Sequence, residues 1–207
     1  MSLPEFDAIV LTGGRGRRMG GADKGSLVVD GVPLAHRVVA AVAGATRVVV
    51  AGPVPAGLER EVVAVHEEPP GGGPAAAVAA GLAHVTAGRV VVLATDLPFV
   101  DAAAVAHLVA AVPPSGGVAL AVDGSGRDQF LLSAWATSTL RDALREAAGP
   151  GPAGAAGLPA HRVLAAARPV VRVSGLGPAD GPPPWLDCDT PGDLAAARRW
   201  AQGGGQS

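Results

Sequence analysis

Between residues 11 and 25 the chain reads LTGGRGRRMGGADKG, a run of glycines interleaved with Arg15, Arg17, Arg18 and Lys24. Glycines let backbone N–H groups come close to an anion, and Arg or Lys adds charge-assisted hydrogen bonds. A polyphosphate is the simplest anion to need both. Two familiar phosphate loops fail on the letters. A P-loop requires Gly-Lys-Ser/Thr, whereas Lys24 lies between Asp23 and Gly25; a dinucleotide fingerprint begun at Gly14 and Gly16 meets Met19 where its third glycine belongs. A second chemical feature stands at Asp96, directly after the apolar run VVVLAT. A carboxylate there either faces a ligand crevice at the rim of a sheet or caps a turn. If buried it needs a partner, because an unpaired buried charge costs several kcal/mol. Magnesium is the natural one, since it takes one or two carboxylates together with phosphate oxygens and waters.

These residues need a scaffold, and the pattern around them supplies one. FDAIVLT (6–12), RVVVA (47–51), EVVAVH (61–66) and RVVVLAT (89–95) are near-continuous apolar runs, as expected of central parallel strands covered on both faces. Helical stretches lie between them, at 32–45 and 74–87, each opened by a proline, and at 101–112 behind Asp101 as N-cap. Further strands are expected at 117–123, 129–135 and 169–174, with helices near 137–147, 158–167 and 190–201. The alternation predicts a single α/β domain over 1–202, Rossmann-like and three-layered with a mostly parallel sheet, followed by a flexible tail at 203–207. The loop after the first strand then sits at the carboxyl edge of the sheet, where ligands bind.

Composition removes several classes. The 207 residues suit one domain, and 49% hydrophobic content is enough for a sizeable core. A net charge of −2 offers no general attraction for nucleic acid or an acidic membrane, so the local cationic cluster outweighs the total. The single cysteine, Cys188, excludes an internal disulfide and fits a reducing, cytoplasmic setting. The five histidines show no ligand spacing, and Trp135, Trp185 and Trp200 read as packing residues. Neither a signal peptide nor a membrane span is read.

The 11–25 stretch closely resembles the signature loop of the molybdenum cofactor guanylyltransferases, with the glycines, Arg18, Met19, Asp23 and Lys24 in order. Thr12 stands where that family usually has Ala. Asp96, Pro98 and Phe99 resemble its strand-Asp-Pro-aromatic segment. The resemblance implies that Leu11, Thr12, Gly13 and Gly14 hold the base and ribose-phosphate side of the nucleotide. It implies that Arg18 and Lys24 contact the triphosphate and act in catalysis, and that Asp96 binds both nucleotide and Mg2+. Glu68 falls where a nucleotide-touching Asp usually sits, and Ala51 replaces an Asn at the end of its strand. Arg127, Asp128 and Gln129 fall in the stretch lining the acceptor side, or are simply polar residues at a strand start. LDCDTPGDL (186–194) matches the closing Asn-x-Asn-Thr-Pro element, with Asp187 and Asp189 in place of both amides. Asp189 then either shares the metal with Asp96 or caps the last helix.

The implied activity is transfer of GMP from GTP to molybdopterin-bound molybdenum, releasing pyrophosphate and forming the guanine dinucleotide. GTP and a molybdopterin-type acceptor are the expected partners, with a molybdoenzyme or its chaperone as the recipient. A cytidylyl- or sugar-phosphate nucleotidyltransferase of the same fold would share both motifs. A non-catalytic nucleotide-binding regulator would account for Ala51 and Glu68.

Overall fold

A computed structural model describes residues 3–13, 24–149, 152–178 and 180–203. Seven strands form one sheet: β1 (Asp7–Leu11), β4 (Val48–Ala51), β5 (Val63–Val65), β6 (Arg89–Ala94), β7 (Val118–Val122), β8 (Asp128–Ala136) and β9 (Val170–Val173). Their order is β5-β4-β1-β6-β8-β7-β9. Every pairing is parallel except the two made by β8, which runs antiparallel to both β6 and β7. The β-branched runs of the central strands β1 and β4 are buried throughout, whereas the edge strands β5 and β9 each keep an exposed residue. The expected α/β architecture with a mostly parallel sheet is therefore what the chain adopts.

Helices α1 (Leu34–Ala41) and α3 (Ala102–Ala111) cover one face, while α2 (Pro74–Leu82), α4 (Thr137–Ala148) and α5 (Ala160–Ala166) cover the other. Trp135 is fully buried on the second side, its indole N–H donating to the Ser133 hydroxyl at 2.8 Å. Small residues let α2 approach the sheet: a Cβ on Gly81 would come within 2.8 Å of the Ile9 side chain.

One expectation changes in detail. The stretch read as a helix from residue 32 begins at Leu34, because Val32 and Pro33 (β3) pair back on Val28 and Val29 (β2) as a small antiparallel ribbon. Asp30 and Gly31, both at positive φ (50° and 74°), make the turn between them. The ribbon has a purpose in the packing. Val29 and Leu34 are fully buried against Cys188 and against Leu194 and Ala197 of α6 (Pro191–Ala201). This third cluster ties the end of the chain to the segment that follows the glycine-rich loop.

Candidate functional site

The sheet reverses its winding between β1 and β6, so their carboxyl ends open a crevice there. Beyond the last matched pair, Leu11 with Ala94, the Thr95 amide and hydroxyl both donate to the Leu11 carbonyl, each at 3.1 Å. On the other side the amides of Thr12 and Gly13 donate to the Ala51 carbonyl at 3.1 and 3.3 Å. Gly52, at φ 124°, lies so close that a Cβ on it would be 2.5 Å from the Gly13 nitrogen. The rim of the crevice is thus bare main chain on main chain. Thr12 and Gly13 have their amides engaged by Ala51, and Leu11 its carbonyl by Thr95.

Lys24 opens a 3-10 turn, Lys24–Ser26. Its ammonium donates to Asp96 Oδ2 at 3.0 Å and to Asp189 Oδ1. The three side chains are largely but not wholly covered, at 18%, 21% and 39% exposure, which leaves them reachable by a ligand. Burial works against the Lys24 charge, yet the hydrogen bond to Asp189 and the nearby charge of Asp96 outweigh it and hold its pKa above the ordinary lysine value. Asp187 goes the other way: partial burial first, then the charges of Asp189, Asp96 and Asp193, push its pKa up. Among the described residues the surroundings of Lys24 are therefore rich in negative charge.

Local structure explains why these groups meet. Asp96 leaves β6 in a turn, and its carbonyl accepts the Cys188 amide at 2.9 Å. It does not cap the following helix; Asp101 does, accepting the Ala104 amide at 2.7 Å. Asp189 does not cap the last helix either. Thr190 is the N-cap of α6, in a reciprocal capping box with Asp193. Released from that duty, Asp189 turns to Lys24. The chemistry open to this arrangement is that of an ammonium beside two carboxylates, and the carboxylate pair fits Mg2+ when phosphate oxygens and waters complete the shell.

The other expected residues are placed as follows. Arg18 and Gly14, with Arg15, Arg17, Met19 and Asp23, lie outside the described residues, as does the tail from 204. Glu68 follows β5, three strand positions from β6, roughly 14 Å by the usual spacing. With His66, Arg141 and Arg145 it lines a cavity of about 410 Å³ between α2 and α4. Asp128 forms a two-point ion pair with Arg172 of β9 (2.7 and 2.8 Å), and Gln129 donates to Asp123 at 3.0 Å. Sequence reasoning missed Thr95, the latch between β1 and β6, and Asp123, the hub of the 123–129 turn. An apolar strand followed by Thr-Asp was the only signal for the first. The Asp-Gly-Ser-Gly turn composition was the signal for the second.

Known proteins match this chain over most of its length. Residues 8–170 match the MobA-like NTP transferase domain. A molybdenum cofactor guanylyltransferase of Acidiphilium cryptum is 31% identical over 198 residues, spanning 92% of each protein. Among solved structures, the molybdopterin-guanine dinucleotide biosynthesis protein A of Archaeoglobus fulgidus superimposes with a TM-score of 0.68 at 22% identity, over 95% of this chain and 99% of that one. The 2-C-methyl-D-erythritol 4-phosphate cytidylyltransferase of Thermus thermophilus does so with a TM-score of 0.65 at 26% identity, over 96% and 99%. A crevice at the β1–β6 switch point, a lysine following the glycine-rich loop, a strand-end aspartate beside it and a family match over residues 8–170 lead to one assignment: the chain belongs to the MobA-like NTP transferase domain family and is a nucleotidyltransferase.

Proposed function

We propose that this nucleotidyltransferase moves GMP from GTP to a molybdopterin-bound molybdenum cofactor, forming the guanine dinucleotide and releasing pyrophosphate in the cytoplasm. The observation that carries the reading is the Lys24 ammonium held beside Asp96 at 3.0 Å, at the crevice where β1 and β6 diverge. A terminal phosphate oxygen of the acceptor attacks the α-phosphorus. The bond from that phosphorus to the bridging oxygen of the β-phosphate breaks, and pyrophosphate leaves with the electron pair. The attacking phosphate is already ionised near neutral pH, so no general base is called for. The protein's share is positioning and charge neutralisation.

In this reading Lys24 leaves its carboxylates and binds the triphosphate, with Arg18 as a second cation. Asp96, and Asp189 beside it, would hold Mg2+, which when bound neutralises and orients the phosphates. Leu11, Thr12, Gly13 and Gly14 would contact the nucleotide, and Glu68 would reach it only from the cavity between α2 and α4. A molybdoenzyme or its chaperone would take up the product. The test is a thermal-shift panel of GTP, CTP, ATP and UTP with Mg2+, followed by pyrophosphate release with a molybdopterin acceptor. Ligand at a hundred times its Kd stabilises by about 2.7 kcal/mol, a clear shift. We expect GTP alone to produce it and to support turnover. A shift with CTP only would favour the second reading, a cytidylyltransferase, for which the likeness to the Thermus thermophilus enzyme speaks. Tight binding without pyrophosphate release would favour a regulator.

A further inference from the structure

Lys24 and one of its carboxylates are both hung from the last helix. Asp189 stands directly ahead of α6, whose N-cap is Thr190. In the last turn of the same helix, Arg198 donates to the Val28 carbonyl at 3.0 Å. Val28 opens the β2–β3 ribbon, and the Lys24–Ser26 turn comes just before it. Between them the Leu27 amide donates to the Lys24 carbonyl at 3.2 Å, and the Leu27 carbonyl accepts the Leu34 amide at 2.8 Å. The turn that carries Lys24 is thus tied to the ribbon on one side and to the first residue of α1 on the other.

Two helices grip the ribbon. Arg37 of α1 donates twice to the Val29 carbonyl, from Nε at 3.2 Å and from a terminal guanidinium nitrogen at 2.6 Å. Arg198 of α6 takes the neighbouring carbonyl, that of Val28. Beneath them Val29 and Leu34 are fully buried against Cys188, Leu194 and Ala197. Apolar burial is non-directional and fixes only how deep the ribbon lies. Hydrogen bonds demand a narrow range of length and angle, and a guanidinium makes them charge-assisted. The two arginines therefore fix where the ribbon lies along α1 and α6, and with it the turn that bears Lys24.

We infer that Arg37 and Arg198 are positioning residues of the transfer reaction: by holding two successive carbonyls of the ribbon, they set where Lys24 stands against Asp96 and Asp189. This rests on the reading in which Lys24 binds the triphosphate. α6 then governs both partners, Asp189 ahead of its first turn and Lys24 through Arg198 in its last, while α1 supplies the second fixed point. Each arginine acts through Lys24 and not on the substrate.

Pyrophosphate release by the full chain, at saturating GTP, Mg2+ and molybdopterin acceptor, tests this. The variants are Arg37→Ala, Arg198→Ala, Arg37→Lys, Arg198→Lys and the double alanine variant, each made with Lys24 present and with Lys24→Ala. Misplacing a reacting group by about an ångström costs up to about a hundredfold, and we expect the double alanine variant to lose about tenfold in kcat. Each single alanine variant should lose part of that, and the lysine variants, which keep a charged donor, should recover most of it. In the Lys24→Ala background the same changes should cost less than about twofold, because the residue they position is gone. Damage that is merely structural would carry through undiminished. An equal loss in both backgrounds therefore overturns the inference, as does an unchanged kcat in the double variant. Arg198 is exposed, so should Arg37→Ala fail to fold, Arg198→Ala decides alone by the same two criteria. Near-normal turnover in Lys24→Ala overturns the reading beneath instead.

Discussion

In the proposed reading, Lys24 trades its two carboxylates for phosphates, so its worth is read in turnover rather than in stability. Removing a well-aimed charged donor from a transferring phosphoryl group costs about 3–4 kcal/mol of transition-state stabilisation. Lys24→Ala should accordingly lower turnover at least about a hundredfold while circular dichroism shows an intact fold. Near-normal activity would remove Lys24 from the mechanism. Asp96→Asn keeps the shape but halves the carboxylate pair; Mn2+ binding in the presence of GTP, followed by electron paramagnetic resonance, should weaken markedly. Gly52 is the test of the rim. A methyl there has no room beside Gly13 and sits at φ 124°, so Gly52→Ala should displace the Leu11–Gly13 strand end. Raised KM for GTP is the expected result, and unaltered kinetics would show that the rim has slack.

At the scale of elements, the last helix decides whether Asp189 is available. Thr190 accepts from the Asp193 amide at 3.2 Å, and Asp193 accepts from the Thr190 amide at 2.7 Å, so the helix begins without help from its neighbour. Thr190→Ala should cost about 1 kcal/mol in chemical denaturation. The hydrogen bond from the Thr190 hydroxyl, first among its causes, holds the Asp193 carboxyl below its ordinary value of 3.8. The sign follows: a lowered folded-state pKa stabilises above 3.8 and loses that contribution as pH falls below it. Melting temperatures of wild type and Asp193→Asn should differ most above that pH and converge on the acid side. A difference that widened in acid would contradict the capping box.

Over the whole molecule, three elements distant in sequence close on one point: the turn after the glycine loop, the end of β6, and the chain leading into α6. Cys188 lies at that junction, fully buried, its thiol pushed up to about 12 chiefly by burial and then by the neighbouring aspartates. It should resist thiol reagents at neutral pH in the native state and react at the rate of opening. GTP with Mg2+ should slow the reaction further, because the ligand clamps the same three elements. Rapid labelling of the folded protein would mean that the C-terminal segment does not rest on Asp96.

Much of this was written in local letters. The central apolar runs became strands because parallel strands buried on both faces need no polar alternation. Asp101 and the prolines marked helix starts through capping chemistry that operates within a few residues. Lys24 and Asp96 stood out because chemistry at a strand end is visible without knowing the partner. The choice between two duties for Asp189 was not visible, since Asp189 and Thr190 compete for the same helix end and only packed geometry ranks them. Nor was the neutralisation of Arg172 by Asp128, which depends on the register of β7, β8 and β9. Short-range sequence determined which elements form and which side chains are equipped for phosphate chemistry. The tertiary structure alone decided which of those charges cancel one another and which remain for a substrate, because that depends on distances between residues far apart along the chain.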